Sequence, residues 1–140
     1  MSEPPPFSPT IGLLTLSRIW DAALADALKP LGLTTRKYGL LGHIRGMPGI
    51  SFSELARRSR ITVQSAHAAV SAFAEAGLVD DQTAHAGAAS SLRVTEKGES
   101  LLAQAATELT RLDAAFSEQH PGLTTALREL MMGRLPPTFS

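Results

Sequence analysis

The chain has 140 residues, 44% of them apolar and 19% charged, which is typical of one globular domain and not of a disordered chain. The 13 basic and 13 acidic residues give a formal net charge of zero, so the sequence lacks the overall positive field of many nucleic-acid binders. The absence of cysteine excludes disulfide bonds, thiolate metal sites and thiol-based redox chemistry.

The first predicted element is a long apolar helix behind a stiff lead. The prolines of MSEPPPFSP predict a disordered segment over residues 1–9, without the features of a secretory signal. Ser8-Pro9 marks the helix start, because proline is favoured in the first turn. Apolar residues recur at helical spacing until Lys29-Pro30 and Gly32 end the helix. They cover so much of its surface that we expect burial on more than one side.

Two shorter helices with hydroxyl caps are predicted next. Thr34 caps the second helix, and the turn chemistry of GMPG, residues 46–49, stops it. Ser51 and Glu54 predict a capping box, in which each side chain bonds the backbone N–H of the other residue. The third helix then runs to about Ser59.

The fourth helix precedes a predicted β-hairpin. Thr62 caps this helix after a tight turn, and the helix runs to Gly77. Leu78-Val79 and Leu92–Val94 are two short strands, and the small residues between them form the hairpin tip. The inner face of the fourth helix consists of Ala66, Ala69, Val70 and Phe73.

Two helices close the predicted chain. Thr95 caps a long fifth helix with an apolar stripe, and Pro121-Gly122 breaks it. A sixth helix begins at about Leu123, and Pro136-Pro137 ends the ordered chain. Two helices joined by a tight turn and followed by a strand pair predict a winged helix-turn-helix, so the expected fold is mainly α with a small β-hairpin wing. The first, fifth and sixth helices have more apolar surface than such a domain can cover, which predicts a dimerisation region.

Four segments in register resemble the MarR family, the multiple-antibiotic-resistance regulators: LGLTTRKYGLLGHI, SFSELARRSRITVQS, EAGLVDD and LRVTEKGESLL. The resemblance covers residues 11–132 in the family's order of elements. It implies a homodimeric transcription regulator, a repressor on a pseudo-palindromic operator in double-stranded DNA, released by a small aromatic or phenolic ligand. The domain organisation it implies is a single domain over residues 10–135, with dimerisation helices at 10–33 and 95–135, a winged helix-turn-helix at 34–94, and a tail at 136–140.

The sequence departs from the family pattern on the fourth helix and in the wing. Relatives carry a basic residue on the exposed face of that helix, where this chain has Ala68 and Ala72; no Lys, Arg, Asp or Glu occurs over residues 61–74. The wing tip, which has an Asp-x-Arg sequence in relatives, is TAHAGAASS over residues 83–91 here. Its only potential cation is His85, which we interpret as an idle loop residue, and Arg93 on the returning strand is the basic residue left in the hairpin.

Uncharged groups on the outward face of the fourth helix can still contact bases. Glutamine pairs with adenine, serine donates to several bases, and alanine packs against the thymine methyl group. The helix N-terminus also offers N–H groups and a partial positive charge to a phosphate. The predicted base-contacting residues are Thr62, Gln64, Ser65, His67 and Ser71. For His67, an idle surface position is an equally good interpretation.

A basic stretch in the middle of the chain supplies the predicted phosphate contacts. Residues 36–60 contain six cations and one anion, whereas residues 75–129 contain nine acids and four bases. The predicted phosphate contacts are Arg36, Lys37, Arg57, Arg58 and Arg93. Arg57 and Arg58 could instead form an ordinary solvated helix face, but the predicted fold favours DNA contact for at least one of them.

Two glycines inside the second predicted helix raise the question of a ligand site. Gly39 and Gly42 each cost about 1 kcal/mol relative to alanine in a helix. We favour close packing against another helix as the reason. The alternative is the floor of a pocket, with His43 and Trp20 nearby to contact an aromatic or acidic ligand.

No catalytic pattern occurs in the sequence. The sequence has no phosphate-binding glycine loop, no nucleophile elbow and no set of His or Cys residues at metal-ligand spacing. We therefore expect neither an enzyme nor a bound cofactor or metal. A metal sensor whose histidines meet across a dimer is a minor alternative. No stretch approaches the roughly 20 apolar residues of a membrane span, and the expected location is the cytoplasm. The main alternative function is a winged-helix dimer that has lost specific DNA binding and acts as a protein-interaction module.

Overall fold

Six helices and a two-stranded hairpin make up the fold, as the sequence predicts. The computed structural model describes residues 3–82 and 91–133. A 3-10 turn over Lys29–Leu31 joins the first two helices. Within the described ranges the elements are α1 (Pro9–Leu28), α2 (Thr35–Gly46), α3 (Phe52–Ser59), α4 (Val63–Glu75), β1 (Val79–Asp81), β2 (Leu92–Val94), α5 (Glu96–Gln119) and α6 (Pro121–Met132).

Hydroxyl side chains begin five of the described helices. In each case the oxygen accepts a hydrogen bond from the backbone N–H three residues further on, at 3.0–3.3 Å. A cap of this kind stabilises a helix by about 1 kcal/mol. The capping residues are the predicted ones, Ser8, Thr34, Ser51, Thr62 and Thr95.

Some predicted element boundaries are wrong by one or two residues. Helix α4 ends at Glu75 instead of Gly77, because Gly77 has a positive φ of 77° and its N–H bonds the carbonyl of Ala74 in a turn. The first strand consequently starts at Val79. Helix α6 begins at Pro121 instead of Leu123, because proline fits the first helical turn, where its missing N–H is not needed.

The predicted capping box at the start of α3 forms on one side only. Ser51 Oγ accepts from Glu54 N at 3.0 Å, as expected. The Glu54 carboxylate instead accepts from Arg57 and Arg58, at distances between 2.6 and 3.0 Å. Charge-assisted bonds to guanidinium groups are stronger than a bond to a neutral N–H, which explains why the carboxylate turns toward the arginines.

The core lies under the helix-turn-helix. The inner face of α4, which packs against α3 and β1, buries Ala66, Val70 and Phe73 in the core, with Ala69 half-buried at its edge. The largest fully buried side chains, which fill the space between these helices and the wing, are Leu28, Leu40, Leu41, Ile44, Leu55, Val70 and Leu92. Their burial fixes the orientation of α4 and leaves its opposite face in solvent.

The wing is an antiparallel strand pair tied to the turn after α2. Val79 pairs with Val94, Asp80 with Arg93, and Asp81 with Leu92. The N–H of Gly49 donates to the carbonyl of Leu92 at 2.9 Å, which joins the wing to that turn. The wing tip, including His85, lies outside the described residues.

The start of α5 packs tightly against the end of α4 and the base of the wing. Thr95 Oγ1 donates to the carbonyl of Gly77 at 2.6 Å, and Lys97 Nζ donates to the carbonyl of Ala76 at 2.8 Å. A Cβ atom at Gly98 would overlap the carbonyl oxygen of Leu78 and lie 2.6 Å from Cγ1 of Val94. Glycine at this position is therefore what lets α5 approach the wing so closely.

The first half of α1 and most of α6 expose large apolar side chains. Ile11, Leu14 and Ile19 on α1 are 47–62% exposed, and Leu130 and Met131 on α6 are 52% and 68% exposed. The expectation that α1 is buried on more than one side is therefore not met within one chain, where only Leu28 of α1 is fully buried.

Among the described residues, no helix has both the length and the apolar character needed to cross a membrane.

Candidate nucleic-acid interface

The outward side of α4 is an exposed, uncharged strip. We term its members the recognition face: Gln64, His67, Ala68, Ser71 and Ala72, all exposed. Thr62 and Ser65 at the helix start bond each other, because Thr62 Oγ1 accepts from Ser65 N at 3.0 Å and donates to Ser65 Oγ at 2.8 Å. The structure therefore places Thr62, Gln64 and Ser65 at the start of α4, with His67 and Ser71 further along its exposed surface. Their contact with DNA stays a prediction.

His67 stacks on an aromatic ring of the preceding helix. Its imidazole and the phenyl ring of Phe52 have centroids 3.8 Å apart and planes inclined by 17°. The stack bridges α3 and α4 at the edge of the recognition face. One face of the His67 ring is thus covered within the chain, and its contact with a base stays a prediction. The sequence offered no signal for this contact, because the two residues are 15 positions apart.

The two arginines of α3 share one carboxylate. Arg57 donates to both oxygens of Glu54, at 3.0 and 2.6 Å, and Nε of Arg58 donates at 2.8 Å. The hydrogen bonds from Arg57 and then Arg58 lower the pKa of Glu54 from 4.5 to about 2, and the same carboxylate raises the pKa of Arg57. One negative charge therefore offsets part of the positive charge that α3 can offer to a phosphate.

Three other predicted phosphate contacts are exposed on α2 and on the wing. Arg36 and Lys37 are exposed in the first turn of α2, and Arg93 is exposed on β2, facing Asp80 across the hairpin. Asp80 accepts a hydrogen bond from Gln82 at 3.3 Å. The base of the wing thus combines one cation with an acidic neighbour.

Arg60 is a further cation at this surface that the sequence-based prediction left out of the site. It is exposed in the turn between α3 and α4, with a left-handed backbone of φ 55° that glycine adopts more readily. The helix-turn-helix pattern was the available signal, since a residue in that turn lies close to the N-terminus of α4. A cation in a position better suited to glycine makes Arg60 a candidate for phosphate contact.

A cleft of about 560 Å³ separates α2 from α5. Its α2 side includes Gly39, Gly42 and Gly46, and a Cβ atom at any of the three would have no atom within 4 Å among the described residues. The favoured interpretation, close packing against another helix of the chain, is therefore wrong for these glycines. They widen the cleft instead. The other lining residues are Tyr38, His43, Arg45, Leu102 and Ala106.

The rim of the cleft carries an ion pair that the sequence did not indicate. Arg45 Nε lies 3.0 Å from Glu99 Oε2, and both side chains are about half exposed. The pair joins α2 to α5 across the opening. Arg45 can therefore offer a cation to an acidic ligand only by sharing it with Glu99.

Trp20 does not lie at this cleft, which corrects the expectation that it stands near His43. Its indole packs edge-on against Phe116, with centroids 4.9 Å apart, and lies 6.1 Å from the ring of His120. These partners stand at the far end of α5, about 15 Å along the helix from Ala106. Trp20 instead lines a separate apolar cavity of about 210 Å³ among α1, α5 and α6. The packing of α1 and α2 at different points of α5 separates this cavity from the cleft that His43 lines.

These features define a winged helix-turn-helix protein with an exposed face on α4 and a cleft between α2 and α5. Residues 31–87 match the family model described as MarR family. No curated protein sequence matches closely enough to serve as a relative. Over these residues the chain is similar to the MarR family, and solved structures of that family share its fold.

Three solved structures illustrate the shared fold. The Mycobacterium tuberculosis MarR family protein Rv2887 in complex with DNA is 23% identical at a TM-score of 0.75, over 91% of this chain and 98% of that one. The same protein in complex with p-aminosalicylic acid is 22% identical at a TM-score of 0.70, over 90% and 96%. Apo wild-type MarR from Escherichia coli is 16% identical at a TM-score of 0.75, over 95% and 100%.

Proposed function

We propose that this protein is a DNA-binding transcription regulator that binds a pseudo-palindromic operator as a homodimer and represses transcription. The observation that carries the proposal is the recognition face. A capped helix with an exposed strip of amide, hydroxyl and methyl groups projects from a rigid core, with Arg57, Arg58 and Arg60 beside its N-terminus. An exposed helix of this kind fits the major groove, where its first turns contact base edges. A similar fold binds DNA in Rv2887.

The dimer is supported by the apolar surfaces of α1 and α6. Exposed large apolar side chains on both helices form an area that water contacts in the single chain. Contiguous exposed apolar surface of this kind marks an interaction site. A twofold contact between two copies covers the same surface on each, and it sets two recognition helices at a fixed separation for two half-sites.

Release from DNA by a small aromatic acid is the second part of the proposal. The cleft between α2 and α5 provides an apolar wall at Leu102 and Ala106, and polar groups at Tyr38, His43 and Arg45. These suit a planar ring with an acidic substituent. Because the cleft lies between α2 of the DNA-binding part and the long helix α5, a ligand there would change their relative position. A similar fold binds p-aminosalicylic acid in Rv2887.

The alternative, a protein-interaction module without specific DNA binding, also has an observation in its favour. Helix α4 carries no Lys or Arg, and the nearest pair of arginines is tied to Glu54. Phosphate neutralisation supplies most of the non-specific affinity for DNA, so these features weaken binding. This alternative would place a partner protein on the recognition face.

A mobility-shift titration separates the two functions. The purified protein is titrated at low salt onto DNA from upstream of its own gene and onto a shuffled duplex of equal composition. A regulator shifts the first duplex at lower concentration, and Gln64→Ala reduces that shift. Ser100→Ala serves as the control because Ser100 is exposed on α5 and not on α4. Equal shifts of both duplexes, or none, would favour the interaction module.

A further inference from the structure

The recognition face lacks the groups that most often bind guanine. Arg and Lys contact guanine through its O6 and N7 atoms, and neither residue type occurs on α4. The face presents one amide, that of Gln64, and the exposed methyl groups of Ala68 and Ala72. The amide of glutamine can pair with N6 and N7 of adenine, and an alanine methyl can pack against the 5-methyl of thymine. Both chemistries favour A·T base pairs.

Most other polar groups near this face already have partners within the chain. The hydroxyls of Thr62 and Ser65 are joined by the 2.8 Å hydrogen bond that accompanies the helix cap. The ring of His67 is covered on one side by Phe52. Gln64 stands between these groups and makes no described side-chain hydrogen bond. It is therefore the amide that can meet a base edge without first breaking a contact.

Helix geometry places the amide and the first methyl group at a spacing that suits stacked bases. Ala68 follows Gln64 by four residues, which is a rise of about 6 Å along α4 and a shift of about 40° around it. Successive base pairs are about 3.4 Å apart, so the two side chains can meet bases roughly two steps apart. The first turns of a recognition helix are the part that contacts base edges, and both residues lie there.

We infer that α4 selects A·T base pairs within each half-site, with Gln64 pairing to an adenine and Ala68 packing on the methyl group of a thymine. Ala68 is then a specificity-determining residue, although its side chain is a single methyl group. The inference rests on the proposed DNA-binding function and identifies the base pairs on which that function depends.

The test begins with DNA sites that the intact protein selects from a random pool. In the selected half-site each thymine is replaced singly by uracil, which removes only the 5-methyl group. At one position we expect a loss of affinity of about fourfold, the value for burial of one methyl-sized group. Ala68→Gly should abolish the difference between thymine and uracil at that position. Gln64→Ala should cost about tenfold and remove the preference for one adenine.

A matched control accounts for the lower helix propensity of glycine. Ala74→Gly makes the same change on the same helix at an exposed residue that lies about 120° around the axis from Ala68. It should leave the thymine-to-uracil difference intact. Specific binding that is unaffected by uracil at every position, or a half-site without A·T pairs under α4, would overturn the inference and leave the DNA-binding function in place. A pool that yields no specific site would remove both.

Discussion

The imidazole of His67 and the phenyl ring of Phe52 stack with 3.8 Å between their centroids, and this contact joins the two helices of the helix-turn-helix at the surface proposed to meet DNA. Aromatic pairs contribute about 0.5–1.5 kcal/mol beyond the area they bury. The contact therefore helps to hold α4 at its angle to α3 while it limits the movement of His67.

The stack predicts coupling between these two residues. Phe52→Leu and His67→Ala should each lower the free energy of unfolding, and the double variant should lose less than the sum by about 1 kcal/mol. Chemical denaturation of the four proteins measures this coupling. The control pair is Phe52→Leu with Ser71→Ala, two residues without a described contact, whose effects should add. Strict additivity for Phe52 and His67 would show that the rings do not interact in solution.

Substitution of Glu54 by glutamine should increase the affinity for DNA. Glu54→Gln removes the charge that binds Arg57 and Arg58, so both guanidinium groups become available to phosphates. We expect tighter binding and a steeper dependence of log affinity on log salt, by about 0.9 for each further phosphate that the protein neutralises. Fluorescence anisotropy at several salt concentrations measures both quantities.

Glu108→Gln is the matched control for that experiment. Glu108 forms the same type of pair with a residue three positions on, Arg111 at 3.5 Å, but on α5. It changes the net charge equally and should affect DNA binding much less. Equal increases of affinity for the two variants would mean that overall charge, and not release of the α3 arginines, determines the affinity.

The same carboxylate predicts a pH dependence of stability. The pKa of Glu54 is about 2 in the folded chain against an ordinary value of 4.5, chiefly because Arg57 and then Arg58 donate hydrogen bonds to it. The folded state thus binds the proton less readily than the unfolded state, so the stabilisation is fully present above pH 4.5 and is lost as the pH falls toward 2. The difference in unfolding free energy between the wild type and Glu54→Gln should shrink over that interval. A constant difference from about pH 5 to about pH 2.5 would contradict the lowered pKa.

Two glycine substitutions should have opposite effects. Gly98→Ala places a Cβ atom against the carbonyl of Leu78 and Cγ1 of Val94, so we expect a loss of about 2–3 kcal/mol of stability. Gly42→Ala introduces a methyl group into open space within α2 and should stabilise the chain by about 1 kcal/mol. Thermal unfolding of both variants tests the pair. A destabilised Gly42→Ala would indicate that something absent from the single chain occupies that part of the cleft.

Substitution of Ser59 should increase the stability of the chain. Its Oγ is buried and has no hydrogen-bond partner among the described residues. An unsatisfied buried hydroxyl costs roughly 1–3 kcal/mol, and alanine also has the higher helix propensity. Ser59→Ala should therefore raise the free energy of unfolding by about 1 kcal/mol. Ser53→Ala, on the exposed part of α3, is the control and should change it less. A clear loss of stability in Ser59→Ala would show that the hydroxyl has a partner in solution.

Local chemistry made much of the fold predictable. The hydroxyl caps Thr34, Ser51, Thr62 and Thr95 stand where their helices begin, because a cap acts on backbone groups only three residues away. The buried face of α4 was likewise evident from its helical spacing. The predicted boundaries near Gly77 and Pro121 were wrong by one or two residues, since a turn and a helix end differ by only one or two hydrogen bonds.

The sequence predicted which residues of the candidate sites are exposed, but not which side chains they contact. Gln64, Ser71 and the arginines of α3 could be placed on exposed faces from spacing alone. The partners of these residues could not be predicted. The sequence assigned the Glu54 carboxylate to a capping box with Ser51, but in the structure it accepts hydrogen bonds from Arg57 and Arg58. Trp20 and His43 were expected together, but Trp20 packs on Phe116 whereas His43 lines the cleft beside Ala106, about 15 Å away along α5. Only the packing of α1 and α2 on α5 decides this separation.

The sequence by itself determined the helices, the hairpin, the resemblance to the MarR family and the absence of cations on α4, since these depend on contacts or identities within a few residues. The tertiary structure alone decided that His67 rests on Phe52, that Gly98 lets α5 meet the wing, and that Gly39 and Gly42 open a cleft instead of closing a helix contact. Each of these contacts depends on the relative position of separate helices. That position follows from the burial of the whole core, because close-packed side chains accept few arrangements.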